Sequence, residues 1–183
     1  MIKMAADTPQ TDIAYHARRR HEMLKSRIHN TESESDARQC VISFYDLDLV
    51  GHVEKDRIDY YNEELLLEFK HHTCDLRKLD VRCKVFAQLL HYVYQMPTKH
   101  GKFDLPENMA LATARCIILY RTEDFFKYLI IDEYFSEASS PSKDHPKLEK
   151  ALRKDPNIRG MMFHTIADYD KLWSEFEKRG VYG

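Results

Sequence analysis

The stretch from Ile58 to His71, Ile-Asp-Tyr-Tyr-Asn-Glu-Glu-Leu-Leu-Leu-Glu-Phe-Lys-His, constrains the fold more than any other part of this chain. In its second half, Leu65, Leu67 and Phe69 fall on one face of a strand while Glu68 and Lys70 fall on the other. Arg57 to Tyr61 has strand composition, and Asn62-Glu63-Glu64 is the natural turn, so the segment reads as a β-hairpin. A connection with an even number of residues puts Asp59 on the same face as Glu68, opposite or diagonal to it, whereas an odd loop or a bulge separates them. With the even loop, two hard oxygen ligands sit beside one ammonium group, which suits Mg²⁺, or Mn²⁺, better than zinc. Such a set is what a metal-dependent nuclease needs. The metal stabilises charge on a phosphodiester and helps generate hydroxide, and Lys70 orients the water or neutralises the developing charge. The competing reading is a surface hairpin whose Glu68 and Lys70 are solvated or pair with neighbours.

Neighbouring segments bear on that choice. From Leu76 to Met96 there is neither Gly nor Pro, and Leu79, Phe86, Leu89, Leu90 and Val93 recur at helical spacing. The opposite side of this predicted helix carries Lys84, Gln88, Tyr92 and Gln95, with Gln88 and Tyr92 one turn apart. Upstream, Thr31-x-x-Glu34 fits a capping box, and Ala37, Cys40, Val41, Phe44 and Leu47 share a face of a helix over about 33–49. The same residues can be read as a strand through Val41, Ser43 and Tyr45. Gly51 would end the helix and turn the chain toward Asp59.

Taken in order, Ser-Glu-Ser-Asp-Ala-Arg-Gln-Cys-Val-Ile, Asp-Arg-Ile-Asp-Tyr, Leu-Leu-Leu-Glu-Phe-Lys and Gln-Leu-Leu-His-Tyr resemble the PD-(D/E)XK nuclease superfamily, in particular the N-terminal nuclease module of type I-like restriction enzymes. The resemblance covers about residues 31–135. It implies an active site of Glu34, Asp59, Glu68 and Lys70, with Asp59 and Glu68 on the metal, and a Gln88–Tyr92 element on the following helix beside nucleic acid. Glu32 or Glu22 are alternatives for the helix carboxylate, and Ile58 stands where the family often has proline. The implied fold is a restriction-endonuclease-like mixed β-sheet flanked by helices, an α-β-β-α-β core. The implied partner is DNA, with a methyltransferase or motor domain in the same or another chain. Cleavage of both strands would call for two sites, hence a possible homodimer.

Composition limits these readings. A length of 183 residues, 43% of them hydrophobic, suits one domain with a full core, here 31–183 behind a helical extension at 1–30. No stretch approaches a membrane span or a signal-peptide core, so the cytoplasm is the expected location. A net charge of −2 does not advertise nucleic-acid binding, and any phosphate affinity must be local. The candidates are Arg77, Lys78, Arg82 and Lys84, with Arg18-Arg19-Arg20 more plausible as a solvated helix face. Cys40, Cys74, Cys83 and Cys116 lack paired spacing and read as core or free thiols, although His71, His72, Cys74 and Cys83 could be imagined around zinc.

The remainder predicts a loop over 97–108, strands over 112–120 and 127–135, and an exposed loop over 136–146. Beyond these come a helix at 146–154, the short apolar Met161-Met162-Phe163, and a last helix over 167–178 whose Tyr169, Leu172, Trp173 and Phe176 form a packing stripe.

Overall fold

A computed structural model describes residues 12–16, 18–19, 23, 33–47, 52–55, 58–71, 73–100, 105–136 and 145–182. A helix α1 (Glu34–Phe44) leads into three strands, β1 (His52–Lys55), β2 (Ile58–Tyr61) and β3 (Leu65–Phe69), followed by the long helix α2 (Leu79–His100). Strands β4 (Asn108–Ala112) and β5 (Cys116–Arg121) come next. Short helical turns, α3 (Phe126–Leu129) and α4 (Glu133–Ser136), precede α5 (Pro146–Arg153), β6 (Met161–His164) and α6 (Tyr169–Lys178).

The six strands form one mixed sheet in sequence order. β1, β2 and β3 are an antiparallel meander, α2 carries the chain over to β4, which is parallel to β3, and β5 and β6 return antiparallel. Every residue of β3 and β4 is buried, as a strand covered on both faces requires. Leu65, Leu67 and Phe69 join Ala37, Val41 and Phe44 of α1 and Leu172, Trp173 and Phe176 of α6 in one core. Leu66 points the other way, into a second core with Phe86, Leu89, Leu90 and Val93 of α2 and Leu148 and Leu152 of α5. The alternation expected of β3 therefore holds, with each face buried under a separate helical layer.

The helix reading of the 33–49 segment is correct in kind but not in extent. Ser33 is the N-cap, its hydroxyl accepting the Asp36 N–H at 3.1 Å, and the helix closes at Tyr45. Thr31, the predicted cap, and Gly51, the predicted stop, lie outside the described residues. Ala37, Val41, Phe44 and Leu47 are buried as foreseen.

Several other expectations are corrected. α2 starts at Leu79, which is itself 41% exposed and outside the packing stripe, and continues through Pro97 to His100 where a loop was predicted. Strand β1 was not foreseen, and β4 was divided between the predicted loop and the strand starting at 112. The expected strand over 127–135 is instead a run of helical turns. Phe125, Tyr128 and Phe135 are buried while Phe126, Ile130 and Ile131 are exposed, and an apolar run as short as 128–131 has no periodicity that separates strand from helix. The 146–154 and 167–178 helices form as expected, the short apolar Met161-Met162-Phe163 lies in strand β6, and the Tyr169–Phe176 stripe is core. Most of the predicted extension at 1–30 lies outside the described residues. Residues 12–16 are helical, with Ile13 and Ala14 packed on the first core. No helix among the described residues is long and apolar enough to cross a membrane.

Candidate active site

The geometry of the site begins in the turn between β2 and β3. The Asn62 side-chain oxygen accepts the Glu64 and Leu65 N–H groups at 2.9 and 2.7 Å, and the Asn62 N–H donates to the Leu65 carbonyl at 2.8 Å. The Asn62 amide also donates to the Val181 carbonyl at 2.8 Å, tying the turn to the C-terminal segment. This closed turn sets Tyr61 against Leu66 and Tyr60 against Leu67. One step further along the same register, Asp59 faces Glu68, so the even-loop condition is met.

At that step the ladder gives way to side-chain contacts. The Phe69 N–H donates to Asp59 Oδ2 at 2.6 Å, while the Lys70 N–H donates to the Ala112 carbonyl of β4 at 2.8 Å. Asp59 Oδ1 accepts Arg38 Nη1 from α1 at 2.9 Å, in an ion pair whose side chains are 9% and 16% exposed. Lys70 Nζ lies 3.3 Å from Glu68 Oε1. The second oxygen, Glu68 Oε2, is buried and has no hydrogen-bond partner among the described residues.

Burial dominates the electrostatics. It pushes the Glu68 carboxyl up to about 7, with the facing Asp59 charge adding to the rise and Lys70 opposing it. Asp59 is also raised, because burial outweighs the Phe69 N–H and the Arg38 charge that favour its ionised form. Burial works to lower Lys70, but the charge and hydrogen bond of Glu68 prevail and hold it above the ordinary lysine value. The charge of Glu34, at the start of α1, reaches Asp59, Glu68 and Lys70, and Tyr92 on α2 reaches Lys70.

Asp59, Glu68 and Lys70 thus stand together, with Glu34 within electrostatic reach of all three and Tyr92 of Lys70. Glu22 and Glu32 lie outside the described residues. Gln88 is half-buried one turn before Tyr92, and its side chain makes no hydrogen bond among the described residues. Arg77, Lys78 and Lys84 are exposed, with Arg77 held by Asp75 at 2.9 Å. Arg82 does not belong with them: it is 8% exposed and its guanidinium donates to the Leu76, Arg77 and Ile158 carbonyls.

Sequence reasoning missed Arg38. Its position next to Ala37, one residue off the apolar stripe, was the available signal, since an arginine there must either reach solvent or find a buried acid.

Among the described residues, no three His, Cys, Asp or Glu side chains assemble as a metal-ligand set, and the zinc arrangement imagined around His71, Cys74 and Cys83 does not form. His72 lies outside the described residues. The four cysteines are free thiols. What the site offers a cation is the Asp59–Glu68 pair, and the uncompensated buried oxygen of Glu68 fits a hard divalent ion. Comparison of the chain with known protein families, curated proteins and solved structures finds no match.

Proposed function

We propose that this chain is a Mg²⁺-dependent DNA endonuclease domain with a restriction-endonuclease-like fold, acting as the nuclease module of a restriction–modification system. The observation that carries the reading is Glu68 Oε2, a buried carboxylate oxygen without a partner among the described residues, on a carboxylate facing Asp59 and flanked by Lys70. The mixed sheet with α1 before the meander and α2 crossing to a parallel strand supports the fold assignment.

Asp59 and Glu68 would hold the ion, with Mn²⁺ as a substitute. When bound there, it supplies positive charge to the phosphodiester and promotes ionisation of water. Lys70 keeps its proton at neutral pH, so it acts as a cation and hydrogen-bond donor toward the attacking water or the phosphate, and not as a base. Glu68 loses its proton near neutrality, which makes ion entry dependent on pH. Tyr92, with Gln88 one turn earlier, offers uncharged donors on the α2 side, and the exposed Arg77, Lys78 and Lys84 offer contacts to the DNA backbone. A methyltransferase or motor domain would direct the cut, a homodimer would allow cleavage of both strands, and the cytoplasm is the proposed location.

One observation favours a second reading, a nuclease-like module that binds DNA or a partner without cutting. Both Asp59 oxygens already have partners, in Arg38 and the Phe69 N–H.

The experiment is calorimetric titration of Mg²⁺ or Mn²⁺ into wild type and Asp59→Ala, with plasmid nicking on the same samples. Ion binding and nicking should vanish together in the variant. Well-folded wild type that binds no ion would refute the nuclease reading, and salt-sensitive DNA binding without nicking would establish the second.

A further inference from the structure

We propose, resting on the nuclease reading, that Arg38 is a positioning residue that occupies the metal side of Asp59 in the ion-free protein, and that Glu34 receives it when a divalent cation enters. The guanidinium donates from Nη1 to Asp59 Oδ1 at 2.9 Å and from Nη2 to Ser35 Oγ at 3.3 Å. It is a cation already seated on a carboxylate the divalent ion needs, in a pocket nearly closed to solvent. A doubly charged ion and a guanidinium on the same carboxylate repel strongly where water cannot screen them. Entry of the ion is therefore an exchange, and Arg38 needs another acid within reach of its stem.

Glu34 is that acid. It lies one turn before Arg38 on α1, the spacing at which side chains meet, and helical side chains lean toward the N-terminus, in the direction of Glu34. Its charge is felt by Asp59, Glu68 and Lys70, so the transfer keeps Arg38 within the site. Glu34 then serves the arginine and is not a ligand of the metal. An arginine acting only as a structural anchor for Asp59 would behave in the opposite way, since its loss would leave Asp59 less well placed and the ion less tightly held.

The test is Mn²⁺ titration by calorimetry of wild type, Arg38→Gln, Glu34→Gln and the double variant, each first shown to unfold cooperatively. Arg38→Gln should bind Mn²⁺ about tenfold more tightly than wild type. Glu34→Gln should bind about tenfold more weakly on its own yet have no effect in the Arg38→Gln background, because the acid acts through the arginine. If Arg38→Gln does not fold, Arg38→Lys keeps the stem and loses the fork, and should tighten binding by about threefold. Unchanged or weaker binding in the foldable Arg38 variant overturns the proposal, as does an equal loss from Glu34→Gln in both backgrounds. Wild type that binds Mn²⁺ alongside an unchanged Arg38 variant removes this inference alone. Absence of binding in both removes the nuclease reading as well.

Discussion

Replacing Glu68 with glutamine should make the protein more stable above neutral pH and leave it little changed in acid. Glu68 is 4% exposed and its carboxyl is held at about 7, against 4.5 for an ordinary glutamate, so the folded protein binds more protons than the unfolded chain between those values. The contribution of this group to stability is therefore complete below pH 4.5 and lost as the pH rises through 7. The loss amounts to on the order of 3 kcal/mol in full, most of it between pH 5 and 8. Glutamine has nearly the shape of the protonated acid and cannot ionise. Lys70 faces a largely neutral partner in both proteins at pH 5, so the change in the stability difference with pH isolates Glu68. Urea unfolding of wild type and Glu68→Gln at pH 5, 6, 7 and 8 should show the variant gaining on the order of 2–3 kcal/mol over the series, or about 5–10 °C in Tm for a chain of this size. Mg²⁺ at about ten times its Kd should return about 1.4 kcal/mol to wild type at pH 8 and nothing to the variant. A stability difference that is flat from pH 5 to 8 would mean that Glu68 titrates as an exposed acid, and the burial reasoning would fail.

Two further substitutions probe the frame around the site. Gly160 has φ +57°, and a Cβ there would lie 2.6 Å from Ile118 Cγ2 and 2.8 Å from the Leu119 carbonyl, so Gly160→Ala should cost about 3 kcal/mol in urea unfolding; a loss below about 1 kcal/mol would show that β6 shifts freely against β5. Asn62→Ala removes two accepted N–H bonds and the link to Val181, and should cost about 2 kcal/mol while weakening Mn²⁺ binding through a slack register. Unaltered ion affinity in that variant would show that the turn does not position Asp59.

The hairpin was legible because its information is local. Alternation of Leu65, Leu67 and Phe69 against Glu68 and Lys70 fixes a face, and Asn62 closes a turn whose residue count fixes the register. The long helix and the aromatic stripe of α6 were legible for the same reason, since period alone specifies them over three turns or more. The segments that were misread are those where period does not discriminate. Phe126 to Ile131 is apolar but for Lys127, and its helical turns follow from which of its aromatics the α2 side can bury, a tertiary fact. Strand β4, Asn-Met-Ala-Leu-Ala, has two alanines and little β propensity. It is a strand because it pairs over five residues with both β3 and β5. Arg38 escaped because its partner is 21 residues away across the sheet end, and no local pattern marks such a pair.

The chain itself contains the comparison that gives the bare oxygen of Glu68 its weight. Asp155 is another buried acid, 5% exposed, at the N-cap of the 3-10 turn Pro156–Arg159. Its Oδ2 accepts the Tyr128 hydroxyl and pairs with Lys127 Nζ at 2.9 Å, and its Oδ1 accepts the Asn157 N–H at 2.9 Å. Burial raises its pKa, but these bonds more than offset the rise, and the carboxyl sits below the ordinary aspartate value. At Asp155, therefore, each oxygen has a donor and the charge is stabilised in place. Glu68 and Asp59 are treated differently. They face each other at a sheet end, both are raised, and one oxygen of Glu68 has no donor among the described residues. A buried acceptor left bare costs about 1–3 kcal/mol, a penalty that a purely structural site could remove with one hydroxyl or amide on α2. On the proposed reading, a small, oxygen-seeking cation would complete the arrangement with the ionised Asp59–Glu68 pair as its ligands.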